Sequence, residues 1–280
     1  MISYLPTDTE GVSLFYRFDQ ALNPKANIII HHGFAEHLGR YDYVARKLWE
    51  AGYNVMRFDA RGHGLTTGPR GHVDNYENFI TDLDFIVNVT EFLAPNLPIY
   101  TLGHSMGGMV TLMYGLTYPE NLAGQIFSGA ASGTLPYLNE VTKKLLISSA
   151  AVIPTKLFKN IVSDDICTDP QVVQDYLNDP LVLKKASFKF FNEFLLESPK
   201  YIEARIDSYD LDTLILHGKD DKVVPVALSE RLYHRIPSKN KELITYDGLY
   251  HEILNEPIKD EIINEILDWL SSRHITRINK

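Results

Sequence analysis

The chain has 280 residues, 45% of them hydrophobic and 22% charged, so it is long enough to bury a large core and too apolar to be disordered. Its formal net charge of −9 disfavours nucleic-acid binding, because an acidic surface repels phosphate backbones. Cys167 is the single cysteine, which rules out an intramolecular disulfide.

The start of the chain carries no recognisable targeting pattern. Residues 1–20 lack the basic segment and apolar core of an export signal. Apolar runs are also shorter than the roughly 18 residues that a membrane-spanning helix requires. We therefore expect the protein in the cytoplasm.

Short apolar, β-branched runs alternate with helix-like stretches along the chain. This alternation predicts an α/β fold in which a mostly parallel sheet is flanked by helices on both faces. The predicted strands are Asn27–His31, Asn54–Asp59, Ile99–Leu102, Gln125–Ser128, Thr213–Leu216 and Glu242–Tyr246, and Leu14–Phe18 is predicted to be an early edge strand before them. Ligands bind beyond the carboxyl ends of parallel strands, so the polar turns that follow these strands are expected to face one crevice.

One connection is far longer than a parallel crossover needs. Residues 132–212 separate two predicted strands, and loops of such length without secondary structure are uncommon in compact domains. We therefore predict a helical cap over 132–212, inserted into a sheet domain formed by 1–131 and 213–280. The cap is apolar enough to line a lipid channel or to contact a lipid surface, although it could also simply pack on the sheet domain.

Three helices are predicted within the cap. The first follows an apolar stripe that stops at Pro154, and its members are Leu138, Val141, Leu145 and Val152. The second begins at Thr168 or Asp169 with a proline in its first turn. The third begins at Ser187 and ends before Pro199.

A serine lies between two glycines at the end of the strand Ile99–Leu102. The sequence Gly103-His104-Ser105-Met106-Gly107 matches G-x-S-x-G, the nucleophile elbow, in which a sharp strand-to-helix turn raises the serine hydroxyl above the sheet. A strand precedes the motif and a helix-like stretch follows it, as the elbow requires. Ser105 is therefore the candidate nucleophile.

A serine hydroxyl needs a histidine base, and the histidine needs a carboxylate that fixes its tautomer. His251 follows the strand Glu242–Tyr246, and Asp221 follows Thr213–Leu216. Together with Ser105 they give the chain order Ser, Asp, His that is typical of this elbow. Asp220 competes for the acid role, because a shift of one residue in the turn would exchange the two side-chain directions.

Attack on an ester carbonyl creates an oxyanion, which fixed backbone NH groups stabilise. One predicted donor is the NH of Met106, the residue after the nucleophile. The other is the NH of Phe34, where Gly33 permits a close approach to the reacting atoms.

Metal and nucleotide sites find little support in the sequence. His31, His32 and His63 lie near the predicted crevice, but they form neither H-E-x-x-H nor a set with a carboxylate. The glycines form neither G-x-G-x-x-G nor a phosphate-binding loop. We therefore expect no metal and no cofactor.

Three stretches carry a family resemblance: HGFAEHLGRY at 32–41, DARGHG at 59–64 and GHSMGG at 103–108. They resemble monoacylglycerol lipases and the related lysophospholipase-like α/β-hydrolases, and the similarity extends to Asn178–Leu181 in the predicted cap. The resemblance implies an α/β-hydrolase fold whose cap covers an acyl channel. It also favours Asp221 over Asp220 as the acid.

The same resemblance places Glu36 and Arg40 near the end of the channel that receives the headgroup. They are candidate substrate-binding residues, and a structural ion pair that shapes the loop is the alternative. Phe34 departs from the family pattern, in which this position is often small, and its bulk would narrow the acyl entrance.

These observations predict a cofactor-free serine carboxylester hydrolase that acts on monoacylglycerols through an acyl-enzyme. Lysophospholipids and short-chain esters are the alternative substrates. A serine peptidase of the same fold, or a receptor without catalytic activity, remains a further alternative. The expected partners are a lipid or small-molecule ester and, transiently, a membrane surface that the cap contacts.

Overall fold

A computed structural model describes residues 1–159 and 165–278 of the protein, with backbone alone for 274–278. Eight strands form the main sheet: β1 (Ile2–Pro6), β2 (Ser13–Asp19), β3 (Asn27–His31), β4 (Asn54–Phe58), β5 (Ile99–His104), β6 (Gly124–Ser128), β9 (Thr213–Gly218) and β10 (Lys241–Tyr246). Their order is β1-β2-β4-β3-β5-β6-β9-β10. The pairs β1–β2 and β2–β4 are antiparallel, and the other pairs are parallel. The predicted α/β class is confirmed.

The prediction that Leu14–Phe18 forms an edge strand was wrong. β2 contains these residues but lies between β1 and β4, so β1 forms the edge. β1 lacks the alternation of apolar and polar residues that identifies a half-buried strand, because none of its residues is buried: Ile2 and Tyr4 are exposed, and Ser3 and Leu5 are half-buried.

Helices cover both faces of the sheet. The main helices outside the segment between β6 and β9 are α1 (Asp42–Glu50), α2 (Glu77–Leu93), α3 (Met106–Thr117), α8 (Ala227–Arg235) and α9 (Lys259–Ile278). In β3, Ile29 packs in the core that includes α2 and α3, whereas Ile28 and Ile30 pack in the core that includes α1 and α9. Because consecutive side chains point to opposite faces, both faces must be apolar, as the continuous isoleucine run indicated.

The segment between β6 and β9 contains its own small elements. The described part of this segment contains α4 (Glu140–Val152), α5 (Pro170–Asn178), α6 (Phe188–Asn192) and α7 (Ser198–Glu203), with a π-helical turn at Glu193–Glu197 and a 3-10 helix at Ile206–Ser208. Strands β7 (Leu157–Lys159) and β8 (Lys185–Ser187) pair antiparallel beside the main sheet. The boundaries 132–212 of the cap stay a prediction, and we call these residues the cap segment.

Two of the helices predicted in the cap segment begin after the expected N-terminal capping residues. The Asp169 carboxylate accepts a hydrogen bond from the Gln171 NH at 2.8 Å, and the Ser187 hydroxyl accepts one from the Phe190 NH at 3.0 Å. The end predicted before Pro199 was wrong, because α7 includes this proline in its first turn. The π-helical turn before it restarts the helical ladder, and a first turn tolerates a residue without an NH.

The apolar residues that form the predicted stripe of α4 do not pack in the hydrophobic core. Val141, Leu145 and Val152 are 77%, 64% and 80% exposed, whereas Leu146 and Ala150 are buried. Within 1–159 and 165–278, no helix has the length and apolar character needed to cross a membrane.

Candidate active site

Ser105 occupies the sharp turn between β5 and α3. Its backbone has φ 53° and ψ −116°, a conformation that side chains other than glycine rarely adopt and that is common at functional sites. A Cβ atom on Gly107 would lie 2.2 Å from the His31 carbonyl oxygen, and one on Gly103 would lie 2.4 Å from Thr111 Oγ1. The glycines of the motif are therefore required by the close packing of the turn against β3 and α3.

His251 and Asp221 meet beside this turn, although 30 residues separate them in the chain. His251 Nδ1 lies 2.7 Å from Asp221 Oδ2, and both side chains are buried. The other oxygen, Asp221 Oδ1, accepts hydrogen bonds from the NH groups of Val223 and Val224, each at 2.8 Å. Asp220 is exposed, so the direction of the turn gives the buried position to Asp221.

The electrostatics of this pair stabilise the charged form of both groups. Burial on its own lowers the pKa of His251, but the charge and hydrogen bond of Asp221, together with the charges of Glu252 and Glu36, outweigh burial and raise that pKa above 6.5. Burial raises the pKa of Asp221, and the neighbouring His251 and His217 more than reverse this, so the pKa lies well below its usual range. Asp221 is thus a carboxylate throughout the neutral range.

Two further histidines contact this pair, and the sequence reasoning assigned neither a role. His217 Nε2 lies 3.1 Å from Asp221 Oδ2, and His217 Nδ1 lies 2.7 Å from Ser229 Oγ. The His104 ring centroid lies 4.6 Å from that of His251, and burial, followed by the His251 charge, lowers the pKa of His104 to about 3. His104 is therefore a neutral neighbour of the base. The sequence signal for both was their position at the end of a strand.

The loop after β3 approaches Ser105 closely. A Cβ atom on Gly33 would lie 3.1 Å from Ser105 Cβ and 2.7 Å from Glu36 Oε1, so this backbone contact requires glycine. Phe34 is the next residue, and Met106 begins α3, where a first-turn NH has no partner within the helix. The structure therefore brings the backbone of both predicted oxyanion donors to the neighbourhood of Ser105.

Glu36 and Arg40 form a buried ion cluster with Glu252. Arg40 Nη1 lies 2.9 Å from Glu36 Oε2 and 2.5 Å from Glu252 Oε1, and Arg40 Nη2 donates to Glu252 Oε2 at 2.8 Å. Glu36 also accepts hydrogen bonds from the Gly33 NH at 2.6 Å and the Tyr41 hydroxyl at 2.7 Å. Sequence reasoning missed Glu252, whose one signal was its place after His251.

A cavity of about 500 Å³ opens over Ser105 and His251. Glu36 and Glu252 also line it, whereas Arg40 lies behind them. The apolar part of the wall comes largely from the cap segment and includes Leu135, Leu138, Leu145, Leu146, Phe158, Phe188, Phe191, Phe194 and Leu195. The Phe34 ring packs against Phe191 with centroids 5.3 Å apart, and both residues line the cavity.

Three histidines near the crevice lie close to one another in the core. His31 and His32 have ring centroids 5.7 Å apart, and those of His32 and His63 are 5.2 Å apart. Among the residues that the structure describes, no three His, Cys, Asp or Glu side chains are arranged to hold a metal ion. Burial lowers the pKa of each of these three histidines, so they are neutral core residues.

Comparison with known proteins places this geometry in a family. The Hydrolase_4 family, described as "Serine aminopeptidase, S33", matches residues 22–258. The chain is 34% identical over 254 residues to a monoacylglycerol lipase of Mycolicibacterium smegmatis, covering 89% of each chain. It is 30% identical over 271 residues to the monoglyceride lipase of Rattus norvegicus, covering 95% of this chain and 89% of the relative.

Solved structures show the same architecture. The monoacylglycerol lipase of Paleococcus ferrophilus superposes with a TM-score of 0.84 at 27% identity, covering 93% of this chain and 99% of that one. A soluble variant of the monoglyceride lipase of Saccharomyces cerevisiae, in complex with a substrate analog, gives a TM-score of 0.87 at 25% identity, covering 98% and 95% of the two chains. The chain therefore belongs to the Hydrolase_4 family of α/β-hydrolases and, within it, to the monoacylglycerol lipase-like proteins.

Proposed function

We propose that this protein hydrolyses monoacylglycerols to a fatty acid and glycerol, with Ser105 as nucleophile, His251 as base and Asp221 as acid. The observation that carries the proposal is the strained elbow of Ser105 at the wall of an apolar cavity that His251 also lines. Relatives named monoacylglycerol lipase support the same substrate class.

The proposed reaction follows from the positions of these groups. The hydrogen bond from His251 Nδ1 to Asp221 leaves Nε2 free to accept the Ser105 proton while Ser105 Oγ attacks the ester carbonyl. The NH groups of Phe34 and Met106 hold the oxyanion. The protonated His251 then gives its proton to the departing glycerol oxygen, and water hydrolyses the acyl-enzyme with His251 again as base.

The charges around the cavity favour a neutral headgroup over a phosphate. Glu36 and Glu252 both line the wall, and each carboxylate has about four acceptor sites, of which the internal contacts use three. The glycerol hydroxyls are suitable donors for the remaining sites. Among the described lining residues, Lys159 alone carries a fixed positive charge, because Arg40 lies behind the two carboxylates and does not line the cavity. A lysophospholipid would therefore place its phosphate near carboxylates.

The experiment that tests the substrate class compares esters that differ in one part at a time. Monooleoylglycerol, oleoyl lysophosphatidylcholine and p-nitrophenyl butyrate are each hydrolysed by the purified wild type and by Ser105→Ala. We expect Ser105-dependent turnover with the highest kcat/KM for monooleoylglycerol. A preference for the lysolipid would replace the neutral headgroup assignment, and activity confined to the butyrate would retire the lipid assignment.

The cap segment is also proposed to touch lipid. Val141 and Val152 present apolar side chains to solvent on the same helix that lines the substrate cavity through Leu145 and Leu146. An exposed apolar helix face of this kind gains free energy when it enters the boundary of a bilayer. The free, buried Cys167 and the lack of an intramolecular disulfide support a cytoplasmic location for this contact.

A further inference from the structure

We propose that Arg40, through Glu36 and Glu252, fixes the oxyanion loop relative to the catalytic histidine, so that Arg40 is a positioning residue rather than a headgroup ligand. The inference rests on the proposed ester hydrolysis and concerns the same site. It is carried by hydrogen bonds that connect Gly33 to Glu252 through one guanidinium group.

At one end, the cluster holds the loop that carries the base. Glu252 directly follows His251, and both of its carboxylate oxygens accept hydrogen bonds from Arg40. The Glu252 NH donates to the Ile166 carbonyl oxygen at 2.7 Å, so the backbone here is fixed as well. A bidentate contact between a guanidinium and a carboxylate restrains direction as well as distance.

At the other end, the cluster holds the loop that supplies the oxyanion donor. Glu36 Oε1 accepts the Gly33 NH at 2.6 Å, directly before Phe34, and Glu36 Oε2 accepts from Arg40 at 2.9 Å. Tyr41 donates its hydroxyl proton to the same carboxylate at 2.7 Å. The base loop and the oxyanion loop are thus joined through Arg40 although 212 residues separate Arg40 from Glu252.

Burial explains why Arg40 itself does not meet the substrate. The side chains of Arg40, Glu36 and Glu252 are 10%, 3% and 5% exposed. The Tyr176 ring covers the guanidinium, with Arg40 Cζ 4.6 Å from the ring centroid. Removing the guanidinium would leave two buried carboxylates without their partner, and their repulsion would drive the two loops apart.

Loss of Arg40 should therefore reduce the turnover of every ester, and not only the binding of a headgroup. Displacement of a donor or base by about 1 Å can reduce a rate by about 100-fold, because the transition state needs aligned groups. A headgroup ligand acts only when a headgroup is present. A positioning residue acts on every ester that uses Ser105.

The test compares Arg40→Met and Arg40→Lys with the wild type on two esters of the same acyl chain, monooleoylglycerol and p-nitrophenyl oleate. Arg57→Met is the matched control, because Arg57 is also buried and paired with two carboxylates, Asp19 and Asp42, away from the cavity. Thermal unfolding is recorded for each variant, and kinetics are measured below the unfolding range of the least stable one.

We expect Arg40→Met to lower kcat by about 10- to 100-fold on both esters. The KM for p-nitrophenyl oleate should change little, and any rise in KM should be confined to monooleoylglycerol, because Glu36 and Glu252 also receive its hydroxyls. Arg40→Lys should recover part of this loss, because the charge remains while the bidentate contact is lost. Arg57→Met should retain the wild-type kcat although its unfolding temperature falls. The combination Arg40→Met with Glu252→Gln should be about as slow as the slower single variant, since both changes interrupt one connection.

Two results would overturn the proposal. One is a loss confined to monooleoylglycerol and expressed in KM, which would make Arg40 a headgroup ligand. The other is a wild-type kcat in folded Arg40→Met, which would leave the cluster a purely structural role. The p-nitrophenyl arm keeps the question separate from the substrate class: a wild type that cleaves only this ester contradicts the monoacylglycerol assignment and still reports the effect of Arg40 on Ser105 chemistry.

Discussion

The His251 imidazole is buried beside carboxylates on two sides. Asp221 contacts Nδ1 directly, while Glu252 and Glu36 act through their charge and the neutral His104 ring packs at 4.6 Å. These negative charges together outweigh burial, so the pKa of His251 lies above 6.5. Since only the neutral imidazole can accept the serine proton, activity should fall as the pH drops through this pKa.

Asp221→Asn separates the charge of the acid from its shape. We expect kcat to fall by about 10³- to 10⁴-fold, because the amide no longer holds the required tautomer or stabilises the imidazolium. The acidic limb of kcat/KM should move to lower pH, because the largest charge that raises the pKa of His251 is gone. Asp220→Asn, at the exposed neighbouring position, is the matched control and should resemble the wild type. Equal losses in the two variants would contradict the choice of acid.

At this scale, the sequence was most informative where one local pattern fixes one side chain. Ser105, Asp221 and His251 each follow a strand, and the shared edge of a parallel sheet brings such positions together. His217 and Glu252 could not be assigned in this way, because their contacts depend on the directions of side chains from loops far apart in the chain. The choice between Asp220 and Asp221 needed the family resemblance for the same reason.

At the scale of elements, α4 has two apolar faces with different tasks. Leu145 and Leu146 line the cavity, whereas Val141 and Val152 point to solvent. Helical periodicity identified this helix but could not say which face the core takes, because the two faces are almost equally apolar. The rule that a helix ends before a proline likewise could not predict the π-helical turn before Pro199, after which the helix continues.

The exposed face of α4 predicts binding to a lipid surface. Val141→Glu and Val152→Glu should reduce sedimentation with phosphatidylcholine vesicles by several-fold, because a charge opposes entry into the apolar boundary. Neutral vesicles are used because the net charge of −9 opposes anionic ones. Phe92→Glu is the matched control, since Phe92 is 84% exposed on α2. Equal binding by all three variants and the wild type would argue against contact through α4.

At the scale of the whole molecule, buried neutral histidines link stability to pH. Burial, followed by a neighbouring histidine, lowers the pKa of His31 and of His104 to about 3, and the pKa values of His32 and His63 are lowered as well. The unfolded chain binds these protons near pH 6.5, so their contribution is complete above 6.5 and is lost as the pH falls towards the folded values. His251, whose pKa is raised, acts in the opposite direction.

We therefore expect marked loss of stability in mild acid. Between pH 6.5 and pH 5, His31 and His104 should each remove about 2 kcal/mol from a total of about 5–15 kcal/mol. The unfolding temperature, followed by circular dichroism from pH 8 to pH 4.5, should fall steeply below pH 6.5. An unchanged unfolding temperature between pH 7 and pH 5 would show that these histidines take up protons as readily in the folded protein as in the unfolded chain. That result would contradict the prediction.

The central claim is that Ser105 attacks the ester carbonyl of a monoacylglycerol while His251 acts as the base. The most direct measurement is oleate release from monooleoylglycerol by the wild type, Ser105→Ala and His251→Ala, with unfolding temperatures recorded in parallel. We predict steady release by the wild type and a loss of about a thousandfold or more in both folded variants. Oleate release by Ser105→Ala at the wild-type rate would contradict the assignment of the nucleophile and the account built on it.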